Sequence, residues 1–349
     1  MLKEFRAAII ALLIGFCGGA AFALIGFPLP WTLGSLTASA VAAIWANRWP
    51  MPAPMRNLAR PVVGVLAGAA FTPGVAGLIL DWWPAVLTVA LYTLASSTIG
   101  YLVFTRIFRF DSATAYFAAA TGGLGELAML GGELGGKMRT IVLIHSVRIV
   151  AIVFAVPLIV QSIAGKDIIR VSLNSGGNSH DVTDWLVLLA TGLAGYLLGS
   201  YGRFPGGVMV AAMLCSALVH AFGISDAAPP NWLVIFAQIL IGGVAGVRFA
   251  GLRWAELKST VLIALGWSGF LLVGAAATAS LGAWLFALPL VSFLLAIVPG
   301  GTAEMIIITY ALGGEVAFVS ICQVARIFLV LTFAPLFFRF IKGGQHAPD

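Results

Sequence analysis

The stretch from Thr121 to Gly136 constrains the fold of this chain more than any other. It reads TGGLGELAMLGGELGG, with seven glycines and two glutamates, Glu126 and Glu133, and apolar sequence lies on both sides. A glycine in a helix costs roughly 1 kcal/mol relative to alanine, and an ionisable group at membrane depth costs at least about 2.5 kcal/mol. Because both features are costly, the stretch is predicted to have a functional role rather than to be an ordinary membrane helix.

The stretch has a counterpart in the second half of the chain. Aligning Gly122 with Gly300 places GGLGELAML over GGTAEMIII, so that Glu126 falls on Glu304. The repeat covers nearly the whole chain, with a one-residue shift near the start, and this internal symmetry is typical of transporters built from two halves. Continued without a gap, the alignment also pairs Gly135 with Gly313, Arg148 with Arg326, and Pro157 with Pro335.

Composition indicates an integral membrane protein whose first partner is the lipid bilayer. The chain is 61% hydrophobic and 9% charged, where an average soluble domain has roughly 25% charged residues. The net charge of +6 comes from lysines and arginines spread over many loops, without the basic patch that a nucleic-acid partner requires. Three cysteines without CxxC spacing and four scattered histidines predict no disulfide, metal site or cofactor.

The distribution of positive charge predicts the topology. Lysine and arginine follow the second and fourth apolar segments of the first half but the first and third segments of the second half, so the two halves are predicted to be inverted. The predicted fold is an all-α polytopic membrane protein with two inverted structural repeats, about ten transmembrane helices and two re-entrant glycine-rich hairpins. The first repeat spans 1–164, an extracytoplasmic linker spans 165–184, and the second repeat spans 185–349. Both termini are expected on the cytoplasmic side of a bacterial-type cytoplasmic (inner) membrane.

The glycine-rich stretch is the segment predicted not to cross the membrane. Arg109 precedes it and Lys137 and Arg139 follow it, which places both of its ends on the cytoplasmic side. Two arms of roughly ten residues would reach about 15 Å each, to the middle of the bilayer. Backbone N–H groups at such a turn favour anions. The alternative is that the glycines only allow close helix packing.

Two arginines follow the repeated motifs at membrane depth, and two interpretations of them stay open. Each arginine either pairs structurally with a hairpin glutamate, or holds an anionic substrate while the glutamates carry protons. His145 and Gln323 precede the arginines by three residues and share their helix faces. His145 is either a satisfied core group or a proton relay. The predicted substrate- or ion-binding residues are Gly122, Gly123, Glu126, Gly300, Gly301, Glu304, Arg148, Arg326, His145 and Gln323.

A further pair of motifs opens the second apolar segment of each half. Pro28 to Trp31 reads PLPW, and Phe204 to Gly207 reads FPGG. Proline suits a helix start and tryptophan an interfacial anchor, although breaks lining a cavity are the alternative. The elements PLPWTLGSL, GGLGE and PGGTAEM, together with the two-copy layout, resemble the AbrB-duplication membrane family over essentially the whole chain. Labels of that family include ammonia monooxygenase and AbrB-type regulator of gene expression, and neither function follows from these residues.

The function predicted from the sequence is secondary transport, ion- or proton-coupled, of a small solute, with an anion as one candidate class. The site is expected at the membrane midplane between the two repeats. The alternative is a membrane-embedded ligand sensor or regulatory protein that affects gene expression indirectly. The sequence contains no Walker motif, and its motifs do not assemble a nucleophile, a base and an orienting group, so no enzyme is predicted. The expected partners are a small-molecule or ion substrate and, as a candidate assembly, a second copy of the chain.

Overall fold

The computed structural model of the chain describes residues 2–45, 53–164, 181–202, 206–250 and 254–343, and every regular element in these ranges is a helix. The prediction of an all-α protein is therefore confirmed for the described residues. The predicted linker 165–184 lies outside them as far as position 180. The helices of the first half are α1 (Leu2–Leu24), α2 (Pro30–Trp45), α3 (Ala53–Ala69), α4 (Pro73–Leu78), α5 (Trp83–Arg106), α6 (Ser112–Ala119), α7 (Leu124–Glu133) and α8 (Met138–Ala164).

The second half repeats this order of helices. Under the alignment of Gly122 with Gly300, α6 and α13 begin and end at equivalent positions, and so do α7 and α14. The repeat found in the sequence is therefore also a repeat of secondary structure. The helices of the second half are α9 (Val182–Tyr201), α10 (Gly207–Ala221), α11 (Asn231–Gly246), α12 (Trp254–Phe286), α13 (Leu290–Ile297), α14 (Thr302–Ala311) and α15 (Val316–Gly343).

Seven spans among the described helices are long and apolar enough to cross a membrane. Many large apolar side chains on them are exposed, such as Leu13, Leu91 and Leu189, and an apolar surface of this kind suits contact with lipid. Three further helices, α2, α3 and α10, have 16, 17 and 15 residues, which corresponds to about 23–26 Å. The seven spans are Arg6–Leu24, Pro73–Arg106, Met138–Ile163, Val182–Tyr201, Asn231–Phe249, Lys258–Phe286 and Val316–Phe338.

The chain divides into two compact units that do not follow the sequence repeats. The first unit contains Met1–Asp81, Val153–Ala255 and Thr302–Ser320, and the second unit contains the remaining segments. Each unit therefore takes segments from both halves of the chain, but not always matching ones, since α14 lies in the first unit and its counterpart α7 in the second. The segments of the second unit are Trp82–Ile152, Glu256–Gly301 and Ile321–Asp349.

Within the first unit, the two halves pack on each other reciprocally. Helix α3 packs on α10, and its counterpart α11 packs on α2. A Cβ atom on Gly64 would collide with the carbonyl oxygen of Met209, and one on Gly242 would collide with that of Thr32. Met209 and Thr32 are equivalent positions under the shifted alignment. The same contact is therefore made in both directions, which is the relation that a two-fold axis produces.

The PLPW motif lies at a helix start. Leu29 has a left-handed backbone (φ 49°), and α2 begins at the next residue, Pro30. At the equivalent place in the second half, Gly206 has φ 78° and α10 begins directly after it. The ring of Trp31 packs on α1, with its centroid 5.5 Å from that of Phe16. The helix-start interpretation therefore describes this motif, while positions 204 and 205 lie outside the described residues.

Candidate functional site

The glycine-rich stretch and the short helix before it form a hairpin of two helices, α6 and α7, in the second unit. Helix α6 has 8 residues and α7 has 10, or about 12 and 15 Å, and neither length crosses the ~30 Å of hydrocarbon. The chain after α7 returns to the start of α6, where the amide of Lys137 donates to Thr114 Oγ1 at 2.7 Å. The tip of this hairpin is the break at positions 120–123 between the two helices.

The second of the two short helices ends in the same way in both halves. The amide of Gly136 donates to the carbonyl of Gly131 at 2.7 Å, and the amide of Gly314 donates to that of Thr309 at 2.9 Å. The residue before each donor is a glycine with a left-handed backbone, at φ 92° and 65° respectively. This is the helix C-cap for which glycine is the preferred residue. The repeated Gly-Gly pairs after α7 and α14 therefore have a structural role.

Arg148 on α8 anchors the tip of the first hairpin. Its side chain is 1% exposed, and its Nη1 donates to the carbonyl of Ala120 at 3.2 Å. His145 lies on the same face of α8, with its Nε2 2.9 Å from the carbonyl oxygen of Phe117. Because a carbonyl only accepts, that nitrogen carries the proton. Both acceptors belong to the C-terminal end of α6, where the helix dipole favours a positive charge.

Arg326 on α15 makes the equivalent contacts in the second half. It is 3% exposed, and its Nη1 donates to the carbonyl of Val298 at 2.9 Å. Gln323 Nε2 donates to the carbonyl of Leu295 at 2.9 Å, and Gln323 Oε1 accepts a hydrogen bond from Arg326 Nη2. In each half the arginine and the residue three positions before it bind carbonyls 28 residues earlier in the chain. The two halves therefore share one hydrogen-bonding scaffold.

Neither arginine has an acidic partner among the residues that the structure describes. The side chains that act electrostatically on Arg148 are Arg326 and Tyr92, and those that act on Arg326 include Tyr92 and Cys322. The Nε atoms of both arginines have no hydrogen-bond partner in the described part of the chain. Burying a charge costs several kcal/mol unless a partner of opposite sign compensates it. The two guanidinium groups therefore form a region that lacks negative charge.

Tyr92 on α5 is a site residue that the sequence does not reveal. Its hydroxyl donates to the carbonyl of Leu271 at 2.5 Å, and its oxygen interacts electrostatically with both arginines. Nearby polar groups include the buried hydroxyls of Thr93 and Thr121, which have no hydrogen-bond partner among the described residues. A cavity of about 30 Å³ borders Thr93 and Ala120, which is enough for at least one water molecule. Uncommitted donors therefore lie around the first hairpin tip.

The two predicted glutamates lie at equivalent positions but in different surroundings. Glu126 is the third residue of α7 and is exposed, and its carboxylate lies against Gly123, where a Cβ atom would collide with it. A carboxylate in the first turn is stabilised by the helix dipole. Glu304 is the third residue of α14, in the first unit, and is 7% exposed. The partner of Arg148 is the carbonyl of Ala120 and not Glu126.

The four predicted glycines lie in the two helix breaks. Gly122 approaches α15 closely, since a Cβ atom there would lie 2.6 Å from Val330 Cγ1. Gly123 is the N-cap of α7 and supplies no side chain to cap its first turn. Gly300 and Gly301 occupy the matching break between α13 and α14. In the second unit the structure thus brings together the two arginines, their two flanking partners and the first hairpin tip.

The donor set favours anions over metal ions. Within the described ranges, no group of three or more His, Cys, Asp or Glu side chains comes together as a metal site requires. The side chains around the two breaks include two guanidinium groups, which donate to backbone carbonyls, and the hydroxyl of Thr121. Guanidinium groups match the geometry of carboxylates and phosphates. The arrangement is therefore suited to the recognition of an anion.

Comparison with known proteins connects these features to one family. The family model described as "Transition state regulatory protein AbrB" matches residues 31–342, a range that includes both broken helix pairs and both buried arginines. The chain is 24% identical to "Uncharacterized protein YhjN" of Bacillus subtilis (strain 168) over an alignment of 350 residues, which covers 94% of this chain and 91% of that protein. It is 23% identical to "Putative regulator AbrB" of Escherichia coli (strain K12) over 333 residues, or 92% of each chain.

Proposed function

The chain belongs to the AbrB family, as its motifs predicted, and we propose that it is a secondary transporter that binds a small anion between Arg148 and Arg326. The observation that carries this proposal is that both guanidinium groups are buried and have no acidic partner among the described residues. An arginine buried for structural reasons normally has its charge compensated within the protein. An anion that binds and leaves supplies that compensation here.

We further propose that the two halves are inverted repeats in a bacterial cytoplasmic membrane, with both termini in the cytoplasm. Helices α6 and α7, and likewise α13 and α14, are the proposed re-entrant hairpins between ten crossings. The reciprocal packing of α3 on α10 and of α11 on α2 supports a two-fold relation. Arg148 lies ten residues into α8, or about 15 Å along the helix, which is half of the ~30 Å hydrocarbon layer.

The proposed energy source is an ion or proton gradient acting through the repeated glutamates. Glu126 and Glu304 occupy the same position in the first turn of α7 and α14. Carboxyl groups are among the side chains that carry protons in membrane transporters. Their repetition at one position in both halves makes these two glutamates the candidate coupling residues.

A ligand sensor is the second candidate, and the names of the relatives favour it. The family model carries the description of a regulatory protein, and the Escherichia coli relative is named as a regulator. A sensor would use the same arginine pair to bind an anion without moving it across the membrane. The transporter and the sensor would share one binding site, and only the transporter would carry the anion across the membrane.

Uptake of labelled anions into proteoliposomes tests the proposal and separates the two candidates. The wild-type protein should give uptake, and Arg148→Gln and Arg326→Gln should each reduce it roughly 30-fold or more, because truncating one partner of a buried charge pair costs about 2 kcal/mol or more. Arg139→Gln is the matched control, since Arg139 is an exposed arginine of the same helix α8. Anion binding without uptake would favour the sensor, and absence of both would contradict the arginine site.

Cysteine labelling tests the proposed inversion. Single cysteines at Asn47 and Gly344 should react with a membrane-impermeant reagent only from the cytoplasmic side, and a cysteine at Asn178 only from outside. Labelling of position 178 from the cytoplasm would show that the halves are not inverted. It would also contradict the re-entrant hairpins, because they are inferred from that inversion.

A further inference from the structure

We infer that the anion bound between Arg148 and Arg326 is a small dianion, such as sulfate, hydrogen phosphate or a short dicarboxylate. The inference rests on the proposed function, because it names the charge of the anion at the same site. It follows from the number of guanidinium groups, their hydrogen bonds and their equivalence in the two repeats.

The charge balance favours two negative charges. Arg148 and Arg326 are both buried and their charges repel each other. A monoanion would leave one of the two positive charges uncompensated in an apolar interior, which is costly. A single dianion placed between them compensates both charges, because its two attractions outweigh the repulsion that remains between the arginines.

The hydrogen-bonding state of the arginines leaves donors for such a ligand. Arg148 donates to one carbonyl oxygen, that of Ala120. Arg326 donates to the carbonyl of Val298 and to the side chain of Gln323. The Nε atoms of both have no partner among the described residues. Since a guanidinium group binds carboxylates and phosphates through two parallel N–H donors, each arginine has donors to spare for one end of an anion.

The equivalence of the two arginines favours a ligand with two similar ends. Each arginine is held by the same carbonyl position of its own repeat, 28 residues earlier in the chain. A ligand between them meets two guanidinium groups supported in the same way. Sulfate, hydrogen phosphate and succinate all present negatively charged oxygens in two directions. An anion with a single charged end would bind one of the two arginines and leave the other without a negatively charged partner.

The close packing around the two arginines limits the size of the ligand. Arg148 and Arg326 are almost fully buried, and the cavity of about 30 Å³ that borders Thr93 and Ala120 is lined by neither of them. A compact dianion therefore suits this packed environment better than a long or bulky one. The hydroxyl of Thr121, which lies in the same helix break as Ala120 and has no hydrogen-bond partner among the described residues, is a further donor.

Melting temperatures of the purified full chain in detergent test the inference. Sulfate, inorganic phosphate and succinate should each be compared with chloride, nitrate and acetate at equal ionic strength, because a ligand that binds the folded state raises the apparent stability. At least one dianion should raise the melting temperature of the wild type, while the monoanions should have little effect. The dianion that gives the largest shift identifies the oxyanion or the dicarboxylate as the preferred subclass.

Variants distinguish an effect of the number of positive charges on dianion binding from an effect on folding. Arg148→Gln and Arg326→Gln each remove one charge, so the affinity for the dianion should fall roughly 30-fold or more and its advantage over monoanions should disappear. Arg148→Lys keeps both charges and should keep the preference for a dianion with a smaller loss of affinity, and Arg139→Gln should behave as wild type. If a Gln variant does not fold, the comparison of dianions with monoanions on the wild type decides.

The outcomes distinguish the inference from the proposed function. Equal stabilisation by monoanions, lost in the Arg148→Gln variant, would overturn the dianion and leave an anion transporter. No stabilisation by any anion, together with no uptake in proteoliposomes, would overturn both. A preference for dianions that persists in both Gln variants would show that the anion binds elsewhere, and would also overturn the inference.

Discussion

The arginine clusters of the two repeats share a scaffold and differ in their chemistry. Arg148 and Arg326 donate to the carbonyls of Ala120 and Val298, which are equivalent positions directly after the first short helix of each pair. Backbone acceptors are supplied by the fold whatever the side chain is, so the scaffold survives sequence divergence between the repeats. The residues around it have diverged.

The differences place more polar side chains in the first repeat. The first repeat has a histidine, a tyrosine and a threonine where the second repeat has a glutamine, a phenylalanine and a proline. The hydroxyl groups of this threonine and this tyrosine lie in the second unit. The shared groups therefore define the proposed anion site, whereas the proposed proton transfer has more candidate groups in the first repeat. The differing pairs are His145 and Gln323, Tyr92 and Phe270, and Thr121 and Pro299.

The largest effect should come from removing either arginine, which tests whether the clusters are equivalent in function. Arg148→Gln and Arg326→Gln should both reduce uptake roughly 30-fold or more. The two variants should differ in stability. Arg326 donates to a carbonyl and to Gln323, whereas Arg148 donates to one carbonyl. Each buried group that loses its hydrogen-bond partner costs about 1–3 kcal/mol. Arg326→Gln should therefore lower the melting temperature more. Normal uptake in either variant would contradict the equivalence of the two clusters.

The next largest effect should come from the reciprocal glycines of the first unit. Gly64→Ala and Gly242→Ala should each destabilise the protein by about 1–3 kcal/mol, because each Cβ atom collides with a backbone carbonyl. The matched control is Gly266→Ala on α12, where a Cβ atom meets open space, and alanine there should be neutral or slightly stabilising. Thermal unfolding in detergent measures all three. A loss at Gly64 no larger than at Gly266 would disprove the close packing.

The repeated glutamates should show an intermediate effect that differs between the repeats. Glu126→Gln and Glu304→Gln keep the shape and remove the titrating group, so uptake driven by a pH gradient should be lost while the folded protein persists. Glu304 is buried and Glu126 is exposed, so any residual uptake driven by a pH gradient should be larger in Glu126→Gln than in Glu304→Gln. If both variants keep the pH dependence of the wild type, the coupling site lies elsewhere.

The smallest effect should come from making the first cluster copy the second. His145→Gln places a glutamine where the second repeat has Gln323, and a glutamine amide can donate to the Phe117 carbonyl as Gln323 donates to that of Leu295. Stability should change by less than about 1 kcal/mol, and uptake at neutral pH should persist. A changed pH dependence of uptake would identify His145 as a proton relay. Loss of uptake at every pH would show that a glutamine cannot replace it.

The sequence predicts the parts of the site that depend on side chains present in both repeats. The glycine breaks and the buried arginines are visible because Gly122 aligns with Gly300 and Arg148 with Arg326. The partners of the arginines are not visible, because they are the backbone carbonyls of Ala120 and Val298, and any residue has a carbonyl. Tyr92 escapes the same search since its counterpart is Phe270, which has no hydroxyl.

The fold shows the same division between what the sequence predicts and what it leaves open. Helix bounds near the hairpins follow from caps and glycines, and α7 and α14 end at equivalent glycine turns. The division into compact units does not follow from the repeat, because it depends on which helices of the two halves pack together. The contact of α3 with α10 illustrates this, since it joins segments far apart in the chain. The ten predicted crossings also stay a prediction, because α2, α3 and α10 are too short to be identified as spans by length and apolarity.

The most direct test of the arginine site is an experimental structure of the protein with a heavy dianion. Selenate is a tetrahedral dianion like sulfate, and the anomalous signal of its selenium locates it independently of the protein atoms. The account predicts an anomalous peak between the guanidinium groups of Arg148 and Arg326, and its absence in Arg148→Gln crystals grown under the same conditions. A protein carboxylate bound to either arginine, with selenate elsewhere or absent, would contradict the account.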